Sequence, residues 1–277
     1  MRLIKNIAKA IIHNQGYDVV KLAPIKEREI YNAYYLGNCF KCIKGDPLTD
    51  TILKGKIWDN QIPDILKKVS QREGQIVEIG ANIGASILPH TKNYPDKKFK
   101  LFEPVPAFYK LLKENHQQYN EKSNVEIFNL GFGLNNDEEI LINVGLGTAG
   151  KSRLVQYQMA DQTIRIPSKK IDSFLAGEKI AFIKIDVDGH ELNILKGGEK
   201  ILRDQTPVLF LEYAPKVIAD IGQTPEEIPY FLKDLGYNEI SIWDNYSQFI
   251  KTTHDWDELI RIAKATPHYL DLLISKI

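Results

Sequence analysis

Two hydrophobic rhythms alternate along the chain. Short apolar runs rich in β-branched residues occur at Ile76 to Ile79, Lys98 to Phe102, Val125 to Phe128, Ile180 to Ile185, Val208 to Leu211, Glu239 to Trp243 and Tyr269 to Ile274. Their length and composition predict buried strands. Between them, apolar residues recur at helical spacing: Ile62 to Val69, Phe108 to Tyr119 with Leu111 and Leu112 inward, and the stretch carrying Leu192, Leu195 and Ile201. A helical segment is also expected directly after Gly84. Strand–helix alternation of this kind predicts a doubly wound, mostly parallel α/β sheet of seven strands.

Other segments depart from the alternation. Asp50 to Asp59 reads as extended, and Thr224-Pro225-Glu226-Glu227 as a capped helix start, with Thr at the N-cap and Pro at the first helical position. Glu139 to Val144, Arg153 to Tyr157 and Thr163 to Ile166 read as extended pieces around the glycine-rich run Gly145 to Gly150. They predict an added β element, residues 138–167, over the cleft, where substrate choice often resides. Leu3, Ile4, Ile7, Ala8, Ile11 and Ile12 form an amphipathic helical pattern closed by Gly16. Residues 1–49 are therefore expected to be a helical and extended lead-in, and residues 50–277 the main domain. The lead-in helix and the β element are both surfaces on which a homodimer could form.

Composition narrows the partners. Lys plus Arg and Asp plus Glu each number 36 in 277 residues, so no global field draws the chain to nucleic acid or anionic membrane. No apolar run reaches the ~18–20 residues of a spanning helix, and no signal-peptide pattern opens the chain; a cytoplasmic setting is the expectation. Cys39 and Cys42 have C-x-x-C spacing, but no second Cys or His pair accompanies them, which favours reduced thiols over zinc or redox chemistry.

The chemistry gathers at strand tips. The first strand runs into Glu78-Ile79-Gly80-Ala81-Asn82-Ile83-Gly84, and the second ends at Glu103-Pro104. A dinucleotide loop needs three glycines so that a pyrophosphate can press onto a helix N-terminus. Asn82 occupies the second glycine position, and an acid stands ahead of the first. That pattern suits a ligand with an amine, a carboxylate and a ribose but no phosphate, as in S-adenosylmethionine. Glu103 at the second strand tip can take the ribose hydroxyls, and Asn129-Leu130-Gly131 at the third tip is expected beside the adenine.

Three motifs in order, Glu78 to Gly84, Phe102-Glu103-Pro104 and Lys184-Ile185-Asp186-Val187-Asp188-Gly189-His190-Glu191, resemble those of FkbM-type methyltransferases. Asp188 replaces the Glu usual in that pattern. Leu195-Lys196-Gly197, Phe210-Leu211-Glu212 and Trp243-Asp244-Asn245-Tyr246 fit the continuation. The resemblance implies a Rossmann-like class I methyltransferase sheet whose final strand is antiparallel and inserted beside the fifth. It also implies methyl transfer from S-adenosylmethionine to a hydroxyl of a sugar, glycan or other natural product. The cofactor-binding candidates are Glu78, Gly80, Ala81, Asn82, Gly84, Glu103, Pro104, Asn129, Leu130, Gly131 and Asp186.

His190 and Asp188 are the candidate bases, adjacent carboxylates being expected to raise the basicity of the imidazole. Asp186, Asp188 and Glu212 are the residues to which a Mg²⁺ ion could bind, although none is expected. Glu191 falls in a first helical turn, where a carboxylate is favoured on structural grounds alone. Two other classes share such a sheet. An NAD(P)-dependent dehydrogenase or epimerase would need the missing glycine and a Tyr-x-x-x-Lys pair. A non-catalytic partner protein of the same fold would be expected to carry a broken cofactor motif.

Overall fold

Hydrogen bonding sorts the described strands into three sheets. The computed structural model describes residues 29–119, 124–144 and 162–277. In chain order, β1 (Ile30–Tyr35) and β2 (Asn38–Ile43) form a hairpin. Then follow β3 (Gln75–Ile79), β4 (Phe99–Phe102), β5 (Val125–Phe128), β6 (Gly131–Phe132), β7 (Glu138–Val144) and β8 (Gln162–Lys169). The remainder are β9 (Ile180–Ile185), β10 (Val208–Tyr213), β11 (Glu239–Asp244), β12 (Phe249–Thr253) and β13 (Leu270–Ser275). The main sheet has the order β12-β11-β13-β10-β9-β3-β4-β5, and β6-β8-β7 form a separate small sheet.

All seven expected strands are in the main sheet. β3, β4, β5, β9 and β10 are mutually parallel, and β13 enters antiparallel between β10 and β11. An eighth strand, β12, pairs antiparallel at the edge; of its residues only Thr253 is buried, so no inward-facing apolar alternation marks it in the sequence. The order reverses between β3 and β9, the switch point where the strand ends of such sheets open a crevice.

Alternation divides the sheet into two apolar layers. Val77, Ile79, Ile183, Ile185, Leu209 and Leu211 face one core, with the helices Glu191–Gly197, Glu227–Asp234 and Trp256–Ala265. Ile76, Phe99, Leu101, Phe182 and Phe210 face the other. That second core also holds the hairpin residues Tyr35 and Phe40 and the helices Pro47–Leu53, Ile62–Val69 and Pro106–Tyr119. Glu78 and Lys184, which pair in register across β3 and β9, stand where this second layer would otherwise be apolar. Cys39 is exposed and Cys42 buried, and three positions apart on β2 they lie on opposite faces.

Local expectations gave way in three places. Asp50 to Asp59 is not extended: residues Pro47–Leu53 are helical, capped by Asp46, whose carboxylate accepts the Leu48 N–H at 2.9 Å. Asp46-Pro47 is itself an N-cap and first-position pair. The segment after Gly84 forms a 3₁₀ helix, Leu88–Asn93, because Pro89 removes a donor and Pro95 lies too near for several α-turns. The helix expected from Thr224 begins at Glu227, behind a tight turn in which the Glu227 N–H donates to the Thr224 carbonyl, and no side-chain cap forms. The added β element is present as β7 and β8, joined to β6. The amphipathic pattern from Leu3 to Ile12, the run Gly145 to Gly150 and Arg153 to Tyr157 lie outside the described residues.

Phe102, fully buried at the end of β4, links main sheet to small sheet. Its ring stacks on Phe128 at 4.8 Å and meets Phe132 and Phe174 edge-on at 4.8 and 5.4 Å. Truncating a buried phenylalanine costs about 3–5 kcal/mol. Phe102→Ala is expected to lower the free energy of unfolding by that amount in denaturant titration. A loss below about 1 kcal/mol would mean that the aromatic cluster does not tie the two sheets together.

Candidate active site

The switch point opens into a cavity of about 310 Å³. Its framework is the contact between the β3 and β9 tips. Gly80 has φ +88, and a Cβ there would lie 1.9 Å from the Asp186 carbonyl oxygen. Glycine is thus required by the neighbouring strand, in addition to any ligand. Gly84, also at φ +88, is similarly hemmed in by Leu112 and Leu88. It does not line the cavity and acts by letting the turn pack on the following helix. Asn82 takes a left-handed φ of +53, a conformation asparagine tolerates better than most residues.

That turn is fastened to the second strand tip. One Glu103 oxygen accepts the Asn82 N–H and the other the Val105 N–H, both at 2.8 Å. Burial pushes the Glu103 carboxyl up to about 7, against the lowering effect of these two donors. Asn129 does not line the cavity; its amide donates to the Glu103 and Pro104 carbonyls at 2.8 Å each and so braces the loop. Glu78, Gly80, Ala81, Asn82, Glu103, Pro104, Leu130, Gly131, Asp186, Asp188, His190 and Glu212 all line the cavity.

The floor is ionic. The Lys184 ammonium, only 2% exposed, lies 2.9 Å from Asp186, 3.3 Å from Asp59 and 3.7 Å from Glu78. Burial alone would depress the ammonium's pKa; the fields of Asp186, Asp59 and Glu78 overturn that and hold it well above the usual lysine range. Burial lifts Glu78 to about 8, with Lys184 opposing, and neither Glu78 oxygen has a hydrogen-bond partner. Asp59 is likewise raised by burial. With Asp186 committed to Lys184, the suggested metal trio does not assemble: no group of three ligand-type side chains suited to a metal occurs among the described residues.

The turn after β9 presents the candidate bases. Asp188 and Gly189 have φ of +54 and +106. The fully buried Glu191 stabilises that path by accepting the Gly189 and Val187 N–H groups on one oxygen, at 3.1 and 3.2 Å. This bears out the structural reading of Glu191, and it directs the adjoining Asp188 and His190 to the cavity wall. His190 departs from expectation in one respect. Its pKa is lowered from 6.5, and the cause is burial, so neighbouring carboxylates do not raise its basicity. Burial thus favours the neutral imidazole, the form able to accept a proton.

Several cavity residues escaped sequence reasoning. Leu48, Trp58 and Ser86 come from the first part of the chain, and Val217, Ile221 and Tyr269 from the last. Trp58 and Asp59 lie between two helices with no motif around them; the only local hint is that Asp59, at φ +49, is a residue type that tolerates a left-handed bend. Tyr269 reaches the site because β13 inserts beside β10, which no local pattern encodes.

The parallel strands, reversed order and inserted antiparallel strand define a class I methyltransferase-type, Rossmann-like sheet with its crevice at the expected edge. Within that class, the methyltransferase FkbM domain model matches residues 78–239, more than half of the chain, and the protein belongs to that family. A curated relative, "Methyltransferase 1" of Beauveria bassiana, is 26% identical over 144 residues, covering 44% of this chain and 57% of the relative. This chain therefore matches somewhat over half of that relative's length. Among solved structures, methyltransferase FkbM from Methylobacillus flagellatus is similar at 18% identity and a TM-score of 0.45, covering 72% of this chain and 43% of that one. A putative O-methyltransferase from Klebsiella pneumoniae is similar at 12% identity and a TM-score of 0.44, covering 84% and 91%. No described helix is long and apolar enough to cross a membrane.

Glu191 supplies a pH test of this site. Burial raises its folded pKa from 4.5 to about 7. Between those values the unfolded chain has lost the proton that the folded chain keeps, so stability falls as pH rises through that window. The full effect is on the order of 3 kcal/mol above pH 7. Glu191→Gln keeps the acceptor oxygen and cannot ionise. Its unfolding free energy should decline less than wild type's between pH 5 and pH 7; parallel declines would show that Glu191 is already ionised in the fold.

Proposed function

We propose that this chain is an S-adenosylmethionine-dependent O-methyltransferase acting on a hydroxyl of a sugar, glycan or other natural product. The observation that carries the donor assignment is the Glu103 carboxylate, anchored by two N–H groups at the rim of the switch-point cavity. Each of its oxygens retains a lone pair for a ribose hydroxyl. Glu78 supports the same reading, since a fully buried carboxylate without a hydrogen-bond partner is suited to a cationic ligand. Leu130 and Gly131 give the adenine an apolar edge, and Gly80, Ala81 and Asn82 offer backbone to the amino-acid end.

S-adenosylmethionine supplies an activated methyl group for in-line displacement. The protein's contribution is alignment and exclusion of water, together with removal of the acceptor's proton. His190 is the proposed base: burial favours its neutral imidazole, and it lines the cavity beside Asp188. Asp188 orients that ring or receives the proton itself. A positioned base contributes about 10² to 10⁴-fold.

Calorimetric titration with S-adenosylmethionine, S-adenosylhomocysteine and NAD tests the donor, and tight binding of NAD alone would overturn the reading. Glu103→Ala is expected to weaken S-adenosylmethionine binding more than tenfold, or about 1.4 kcal/mol; unchanged affinity removes Glu103 from the ligand site. Screening a chemically fractionated cell extract with a labelled methyl donor identifies the acceptor. On that acceptor, His190→Ala should cut turnover by at least a hundredfold with donor affinity near wild type. Full turnover in both His190→Ala and Asp188→Asn would exclude either residue as base.

A further inference from the structure

The ionic floor holds more acid than it neutralises. One ammonium, Lys184, serves three carboxylates within 3.7 Å. Asp186 comes from the β9 tip and Glu78 from β3, both inside the family-matched stretch, whereas Asp59 precedes it. The third carboxylate is therefore supplied by the segment between the helices Pro47–Leu53 and Ile62–Val69. Trp58, the adjacent residue, forms part of the cavity wall. Asp59 is itself largely withdrawn from solvent, its side chain 13% exposed, and its Oδ2 atom is turned to Lys184. Glu78 meanwhile reaches the cavity with both oxygens free of hydrogen bonds. A cation entering such a water-poor pocket favours ionisation of the surplus carboxyl groups, and the attraction there is worth far more than the same pair at a surface.

We propose that Asp59 is a specificity-determining residue that completes a charge filter, by which the cavity favours the cationic methyl donor over its neutral spent form. The proposal rests on the reading of the cavity as an S-adenosylmethionine site. Donor and product share the adenosine, the amine and the carboxylate; they differ in the methyl group and in the sulfonium charge. Each turnover removes that charge from the ligand. A floor with surplus carboxylate then holds the product less tightly than an incoming donor, which eases exchange after each transfer.

Asp59→Asn tests this with binding alone. Asparagine keeps the side-chain shape and tolerates the left-handed φ of +49, and removing one acid from an acid-rich group relieves repulsion as well as ending an ion pair. The readout is the ratio of dissociation constants, S-adenosylhomocysteine over S-adenosylmethionine, measured by calorimetry at pH 8 for wild type, Asp59→Asn and Asp59→Glu. The ratio should fall about tenfold in Asp59→Asn, through weaker donor binding, and recover in Asp59→Glu. An unchanged ratio overturns the proposal while leaving the donor assignment intact. If wild type binds neither ligand, the donor assignment fails first and the filter with it.

Should Asp59→Asn not fold, Asp59→Glu keeps the residue under test and the pH dependence of wild type tests the charge filter. The acids facing the cluster are Asp59, Glu78 and Asp186 on Lys184, with Glu212, Asp271 and Tyr269 beyond them and Glu103 at the ribose side. Of these, Glu103 and Glu78, raised by burial to about 7 and about 8, lose their protons between pH 6 and pH 8.5, while titration of the groups common to both ligands cancels in the ratio. The ratio must rise across that range; a flat ratio overturns the proposal.

Discussion

The neighbouring tips of β3 and β9 are the constraint on which the rest of the structure depends. Gly80 lies so close to the Asp186 carbonyl that any side chain would collide with it, and two residues earlier Glu78 faces Lys184 across the same pair of strands. Close backbone approach and a buried ion pair therefore occur side by side. The first fixes the distance between the two turns that bound the cavity. The second puts charge beneath it, at a place in the layer where Phe182 and Phe210 are otherwise the neighbours.

From that junction the site grows outward through hydrogen bonds made by carboxylates to backbone. Glu103 spans the Asn82 and Val105 N–H groups, and Glu191 spans those of Val187 and Gly189. Both are buried acids whose pKa values burial pushes up to about 7. The fold thus spends stability near neutral pH to keep two strained turns in place, the pattern expected where backbone geometry serves a ligand. The proposed chemistry needs that rigidity, because methyl transfer depends on the alignment of donor and acceptor more than on any strong acid or base.

Chain segments outside the family-matched region complete the pocket. Leu48 and Trp58 come from before it and Tyr269 from after it. Asp59 joins them through Lys184, and Gln61 through Asp271, to whose carboxylate its amide donates at 2.9 Å. The hairpin and the two helices that follow it share the apolar layer of the main sheet. They hold these residues over the site without contributing to the strand order.

Much of this was legible in the linear pattern. Buried strands announce themselves as β-branched runs, so all seven core strands and most of the strand-tip residues could be named: Gly80 and Asn82 for the glycine-turn pattern they form, Glu103 and Asp186 for their position at tips. Where the sequence misled, a local rule met a stronger one. Pro89 and the short stretch before Pro95 turned an expected helix into a 3₁₀ turn, and burial outweighed neighbouring charge at His190. What the sequence determined by itself is the alternation of strands and helices and the chemistry available at each turn, because periodicity and residue type are local properties. Tertiary structure alone decided that Asp59 joins Glu78 and Asp186 around Lys184, and that Tyr269 overlooks the same cavity. Those partners are far apart along the chain, and only sheet order and desolvation bring their charges within reach of one another.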